Sequence, residues 1–324
     1  MNSTKAEVRM PKKKYAYVDA HADTIVAAMD AEANLYENDL HVDFKRLMMY
    51  DMPTVQVLPI YVDENHLNRA YEYTNEAIDF LENQLQTYSN VAALALSAAD
   101  IEKNAKQNKL SIILALEGGE PLEGNIENLF NLHKRGVRLI TLTWSRENEL
   151  GYGVLIGSNE GLKPFGIDAV RKMNELGIMI DVSHLNEQGF WDVQKISKRA
   201  VMASHSNAHA ICAHERNLKD DQIKALHSTG GVVGLNLVPS FLNSGGNADM
   251  SCIIKHFRHF EKLSALGIYG MGCDFDGTSR LPENISCVSS VNTIAAHMED
   301  EFGQDITESI MSAAMLDYFK REFV

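Results

Sequence analysis

Six residues able to bind a metal or move a proton stand directly after short apolar runs: His21 and Asp23 in DAHADT, Glu117 in LEGGE, His184 in DVSHL, His205 in SHSNAH and Asp274 in CDFDGT. A lone histidine is more often a surface or satisfied core residue than a ligand, but these six recur in the same context. Imidazoles and carboxylates with no thiolate beside them suit Zn2+ or another divalent first-row ion. His21 and Asp23 are two apart on an extended segment, so they point to one side and can share an ion. His184 and His205 can hold a second ion, and Glu117, with two oxygens, can bridge the two. Such pairs sit ~3.5–4 Å apart and share a water whose pKa falls towards ~7, a nucleophile at neutral pH. Asp274 is then placed to accept and return a proton. Arg216, in HERNL, offers a guanidinium fork for a carboxylate and reads equally well as a surface salt bridge at a helix start. Gly118 and Gly119 let the backbone approach the ions closely, or make a tight turn. The other nine of the 12 histidines (12 − 3) fall in loops or helices and read as ordinary, with His209 and His214 nearest the expected site.

Residues spread from position 21 to 274 meet only if the fold gathers them. Eight short apolar or β-branched runs, at 15–20, 54–62, 111–116, 137–142, 178–182, 200–203, 231–237 and 268–273, alternate with segments of helical period. Helices are expected at 65–86, 125–134, 164–176, 187–197, 220–228, 249–266 and within 305–323. Gly136, Gly177 and Gly267 each stand between a helix and a strand, where a left-handed cap is wanted. Eight near-continuous apolar strands covered by helices predict an α/β fold, a closed (β/α)8 TIM barrel, rather than an open doubly wound sheet. No G-x-G-x-x-G follows the first run, which removes the main support for dinucleotide binding. With no linker, repeat or low-complexity block, the chain reads as one barrel over 15–324 preceded by a flexible extension at 1–14, with 29–53 as a long first loop. In a barrel, the residues just past the strands share one mouth, and that is where all six stand.

The 324 residues hold 30 Lys and Arg against 44 Asp and Glu, a net charge of −14, which argues against nucleic acid as a partner. Cys212, Cys252, Cys273 and Cys287 are irregularly spaced with no C-x-x-C, so no disulfide framework is expected. The basic start lacks an apolar run behind it and no stretch approaches ~18 apolar residues, so no membrane partner and a cytoplasmic location are expected. Homodimers are the commonest oligomers, but no surface patch for one can be picked out.

These motifs together, with GVRLITLTW, HERN and GGVVGLN, resemble the membrane (renal) dipeptidase family of metallopeptidases, a branch of the amidohydrolase superfamily, over about 15–282 in order and spacing. The resemblance implies two Zn2+ ions: one on His21, Asp23 and Glu117, the other on Glu117, His184 and His205. It implies that Arg216 holds the terminal carboxylate of a small dipeptide substrate and that Asp274 handles the proton of the bridging water. Hydrolysis of dipeptides, some with a C-terminal D-residue, is the activity implied. Two positions depart from animal-type members: Trp144, expected to contact substrate, and Glu120 each replace a His. An indole donates one hydrogen bond but cannot become a cation, and one lost oxyanion donor costs on the order of 10²–10³ in rate. That leaves open a slower or differently selective enzyme, another hydrolase acting on a lactone, N-acyl amino acid or phosphoester, and a metal-binding member without turnover.

Overall fold

The computed structural model describes residues 9–263 and 265–324. Its strands are β1 (Ala16–Asp19), β2 (Asp51–Tyr61), β3 (Ala92–Leu94), β4 (Leu110–Glu117), β5 (Val137–Thr141), β6 (Met179–Asp181), β7 (Met202–Ala203), β8 (Val232–Leu235) and β9 (Tyr269–Met271). All pair in parallel in the order β2-β1-β9-β8-β7-β6-β5-β4-β3, and β2 also pairs with β4. That pairing closes eight strands into a single-domain barrel with helices outside, as the chain pattern predicts. The ninth strand, β3, was not foreseen. It pairs with Leu110–Ile112 of β4 while β5 pairs with Leu114–Glu117, and β2 takes the other edge throughout, so β3 and β5 share one edge of β4 in tandem.

Helices follow their sequence punctuation closely. Pro164–Leu176 starts on proline and stops at Gly177, whose φ of 73° is left-handed; Met250–Lys262 starts at Asp249, whose side chain accepts from the Cys252 amide. Gly136 also has a positive φ, whereas Gly267 lies within a 3-10 turn, Leu266–Ile268, and does not adopt a left-handed conformation. Helices Thr24–Asp30, Ala98–Lys106 and Val291–Phe302 were not anticipated. Of the extension expected at 1–14, residues 1–8 lie outside the described residues. Further on, the Arg9 and Lys12 amides donate to Thr293 and Glu299 of Val291–Phe302.

Side-chain alternation sorts the barrel into layers. Ile113, Ala115, Leu139, Met179, Met202 and Val232 fill its lower part. Met315, Tyr318 and Phe319 of the helix Ala314–Glu322 close it from below, with Tyr318 and Arg321 bonded to Ala200 and Gly230, which precede β7 and β8. Two residues further along each strand, on the same face, come Glu117, Thr141, Asp181 and Ser204. A polar layer therefore sits directly on an apolar one, at the C-terminal mouth.

Candidate metal centre and substrate cavity

Glu117 ends β4 with its carboxylate among three imidazoles. Its Oε1 lies 3.0 Å from Nε2 of His184 and 3.6 Å from Nε2 of both His21 and His205. His21 Nε2 is also 3.5 Å from Asp23 Oδ2, and His184 Nε2 is 2.8 Å from His205 Nε2. Among the described residues, His21, Glu117 and His205 form one group able to hold an ion, and His21, Asp23 and Asp274 another. All six expected residues are buried in this one cluster. His184 and Asp274 adopt left-handed backbone at φ 66° and 60°, a conformation seldom used by such residues and concentrated at functional sites.

The electrostatics of the cluster follow from its burial and its close carboxylates. Burial disfavours a charged imidazole at His21, yet Asp23 and Glu117 outweigh it and push its pKa up to about 10. Burial, aided by neighbouring Asp23, holds Glu117 well above the ordinary carboxylate value, and burial holds His184 and His205 well below the ordinary imidazole value, which keeps them neutral. His21 Nε2 and Asp23 Oδ1 are buried without a hydrogen-bond partner. Two neutral imidazoles, a third, held beside two carboxylates, whose proton a cation would displace, and an unpartnered carboxylate oxygen are the donor set of a divalent cation, so the residues present fit the metal that the sequence implies.

Buried side chains behind the imidazoles, not foreseen from sequence, hold the histidines in place. Asp181 accepts from the Ser183 and Ser204 amides through Oδ1, and from the Thr141 and Ser204 hydroxyls through Oδ2 at 2.6 and 2.5 Å. Ser204 Oγ also lies 2.7 Å from His205 Nδ1. With the hydroxyl proton given to Asp181, Nδ1 of His205 must carry its own proton, which leaves Nε2 as a bare lone pair facing the centre. Ser145 meets His184 Nδ1 at 2.8 Å, and Asp19 accepts from the His21 and Cys273 amides, joining β1 to β9. A carboxylate two or three residues ahead of a strand-end histidine, as in Asp19–His21 and Asp181–His184, is the sequence signal that could have found two of these.

Above the cluster opens a cavity of about 590 Å³ lined by residues at or just past the ends of all eight barrel strands, among them Asp23, Tyr61, Trp144, His214, Arg216 and Asp274. Arg216 is buried rather than a surface ion pair. Its Nη2 donates to the His205 carbonyl at 3.3 Å while its Nε has no partner. His214, read as ordinary from sequence, also reaches this cavity, with its ring against Phe241. Asn236 Nδ2 donates to Asp274 Oδ2 at 2.8 Å, leaving Oδ1 free of that bond, and burial raises the Asp274 pKa. A Cβ on Gly277 would come within 2.2 Å of Asp23 and 2.3 Å of Asp274, so only glycine lets these carboxylates stand there. Trp144 and Glu120, the two departures, are joined by Arg146, whose guanidinium lies 4.9 Å over the Trp144 ring and 3.9 Å from Glu120 Oε1.

A closed parallel barrel with this donor set at its C-terminal mouth defines a metallohydrolase of the amidohydrolase type. The profile of the membrane dipeptidase family (peptidase family M19) matches residues 6–315, and the chain belongs to that family. Two solved structures share the fold over 96% of this chain. One is a dipeptidase described as an M19 metallopeptidase, with a TM-score of 0.89, 26% identity and 99% of its own chain covered. The other is a metallopeptidase from Rhodobacter sphaeroides liganded with a phosphinate mimic of the dipeptide L-Ala-D-Ala, with a TM-score of 0.87, 25% identity and 100% covered. An uncharacterized protein in the pqqA 5' region of Klebsiella pneumoniae is 34% identical over 251 residues, 71% of this chain and 92% of that protein. None of the helices described is long and apolar enough to cross a membrane.

Proposed function

We propose that this protein is a di-zinc dipeptidase that cleaves the peptide bond of free dipeptides, including those with a C-terminal D-residue. The observation that carries the reading is Glu117 Oε1 standing 3.0–3.6 Å from three inward-facing imidazole nitrogens, with the Arg216 guanidinium in the cavity above. His21, Asp23 and Glu117 would hold one ion, and Glu117, His184 and His205 the other. When bound, the ions supply a hydroxide at neutral pH and polarise the scissile carbonyl.

The chain's own residues supply the rest. Arg216 grips the terminal carboxylate in bidentate fashion and so sets which bond lies over the centre. Asp274, fixed through Oδ2 by Asn236, holds a proton at Oδ1 and passes it to the leaving amine. Trp144 and Tyr61, with ring centroids 5.1 Å apart, wall the substrate's flank. Four free cysteines support a reducing, cytoplasmic setting.

The test is release of free amino acids from L,L- and L,D-dipeptides before and after chelation and zinc reconstitution, with Glu117→Ala as control. Zinc-dependent release at about two ions per chain, lost in the control, is the expected result. Two bound ions with no release from any dipeptide would defeat the assignment.

A further inference from the structure

Barrel order places the two ends of the cavity. Around the eight closed strands β7 lies opposite β2, with β1 beside β2. Arg216 follows β7, Tyr61 ends β2, and Asp30 ends the helix Thr24–Asp30 that follows β1. A dipeptide held by its carboxylate on Arg216 rests its C-terminal residue near His214, Val238 and Phe241, and turns its N-terminal residue to the β1–β2 wall.

That wall is one helix face. Asp23, Val26, Ala27 and Asp30 all line the cavity, at the i, i+3, i+4 and i+7 spacing of a single helical stripe. Asp23 belongs to the metal centre, and Asp30 stands seven residues on, about 10 Å along the helix axis at ~1.5 Å per residue. Five bonds of roughly 1.5 Å in a zigzag carry a lysine ammonium about 6 Å from its Cα, and a hydrogen bond adds about 3 Å. That reach of about 9 Å falls just short of the axial distance, and Asp30's own side chain, which leans towards the helix N-terminus, covers the rest, so lysine or arginine meets it with its stem along Val26 and Ala27 while shorter polar side chains stop short.

Asp30 is also the one carboxylate of the cavity wall without a partner among the described residues. Asp23 and Glu117 face histidines, Asp274 accepts from Asn236, and Asp276 accepts from Thr24 and the His41 amide. Resting on the dipeptidase reading, we propose that Asp30 makes this enzyme selective for dipeptides with a cationic N-terminal side chain.

The experiment compares kcat/KM of the zinc-loaded enzyme on Lys-Ala and on norleucyl-Ala, equal in stem length and different in charge. The expected ratio is about two- to fivefold in favour of Lys-Ala, the size of one solvent-exposed ion pair, and it shrinks as salt is added. Asp30→Asn brings the ratio towards one, and Asp30→Lys turns the preference towards Glu-Ala. Hydrolysis of both peptides at equal efficiency by the unaltered enzyme overturns this inference and leaves the dipeptidase standing. A ratio that survives in Asp30→Asn overturns the role of Asp30. Hydrolysis of neither peptide overturns this inference, and the dipeptidase reading falls with it only if no dipeptide of the L,L- and L,D-panel is cleaved either.

Discussion

Asp274 and Asp181 are both buried carboxylates of the barrel mouth, yet their partners differ. Asp274 spends one oxygen on Asn236 and turns the other to the cavity, whereas both oxygens of Asp181 are saturated by four donors. Asp274→Ala should therefore lower turnover by roughly 10²–10⁴ while metal content by elemental analysis stays near that of the parent; retained activity would remove Asp274 from proton transfer. Asp181→Asn should do the reverse. An amide cannot take four donors, Ser204 loses its acceptor, and His205 is freed to carry its proton on the nitrogen that faces the centre. Metal affinity measured by chelator competition should fall about 10–100-fold, and unchanged affinity would show that the Asp181–Ser204 pair does not set the His205 tautomer. Of these residues, the six of the buried cluster were legible in the chain because each follows an apolar run, while Ser145, Ser204 and Asn236 were not, since a hydroxyl or amide gains meaning only from the atom it faces.

Apart from β2 and β4 the strands are short, and at the rim between β7 and β8 the backbones approach closely. A Cβ on Gly234 in β8 would lie 1.9 Å from the Ser204 carbonyl of the neighbouring strand end. Gly234→Ala should cost on the order of 2 kcal/mol in urea unfolding, since backbone must move rather than a flexible side chain, whereas Gly267→Ala, with open space around it, should be near neutral. Equal effects of the two would refute close approach as the reason for Gly234. The same scale explains the missed strand. β3 is three residues inside VAALAL, too short to show a period of two and too apolar to be told from helix, and its pairing edge exists only once β4 has formed. By contrast, helix ends at 164–176 and 220–228 were readable to the residue, because proline, glycine and acidic first turns act locally.

Two properties belong to the molecule as a whole. Metal that binds only the folded state raises Tm by mass action, so zinc should stabilise and chelation lower Tm, by about 2.7 kcal/mol of stability at a hundredfold excess over Kd; a Tm indifferent to zinc would mean that the centre is not formed by folding. His256, buried, accepts from the Ala208 amide and meets the Leu242 carbonyl, and burial holds its pKa down at about 4. Above pH ~6.5 folded and unfolded chains both hold it neutral; below that the unfolded chain takes up a proton the folded one refuses, so stability falls until about pH 4, by on the order of 3 kcal/mol. His256→Gln should flatten that part of the stability–pH curve, and an unchanged slope would clear His256 of the effect. Periodicity and strand-end chemistry let the chain alone announce a parallel barrel, its mouth and six residues in it, because apolar period and helix capping are local and a βα repeat leaves few topologies. Tertiary structure alone decided which nitrogen faces which carboxylate, that Arg216 is buried above the centre, that His214 joins the wall, and that Asp30 stands unpartnered across from it. Those facts depend on distances between residues far apart in the chain, which barrel closure sets and no local pattern encodes.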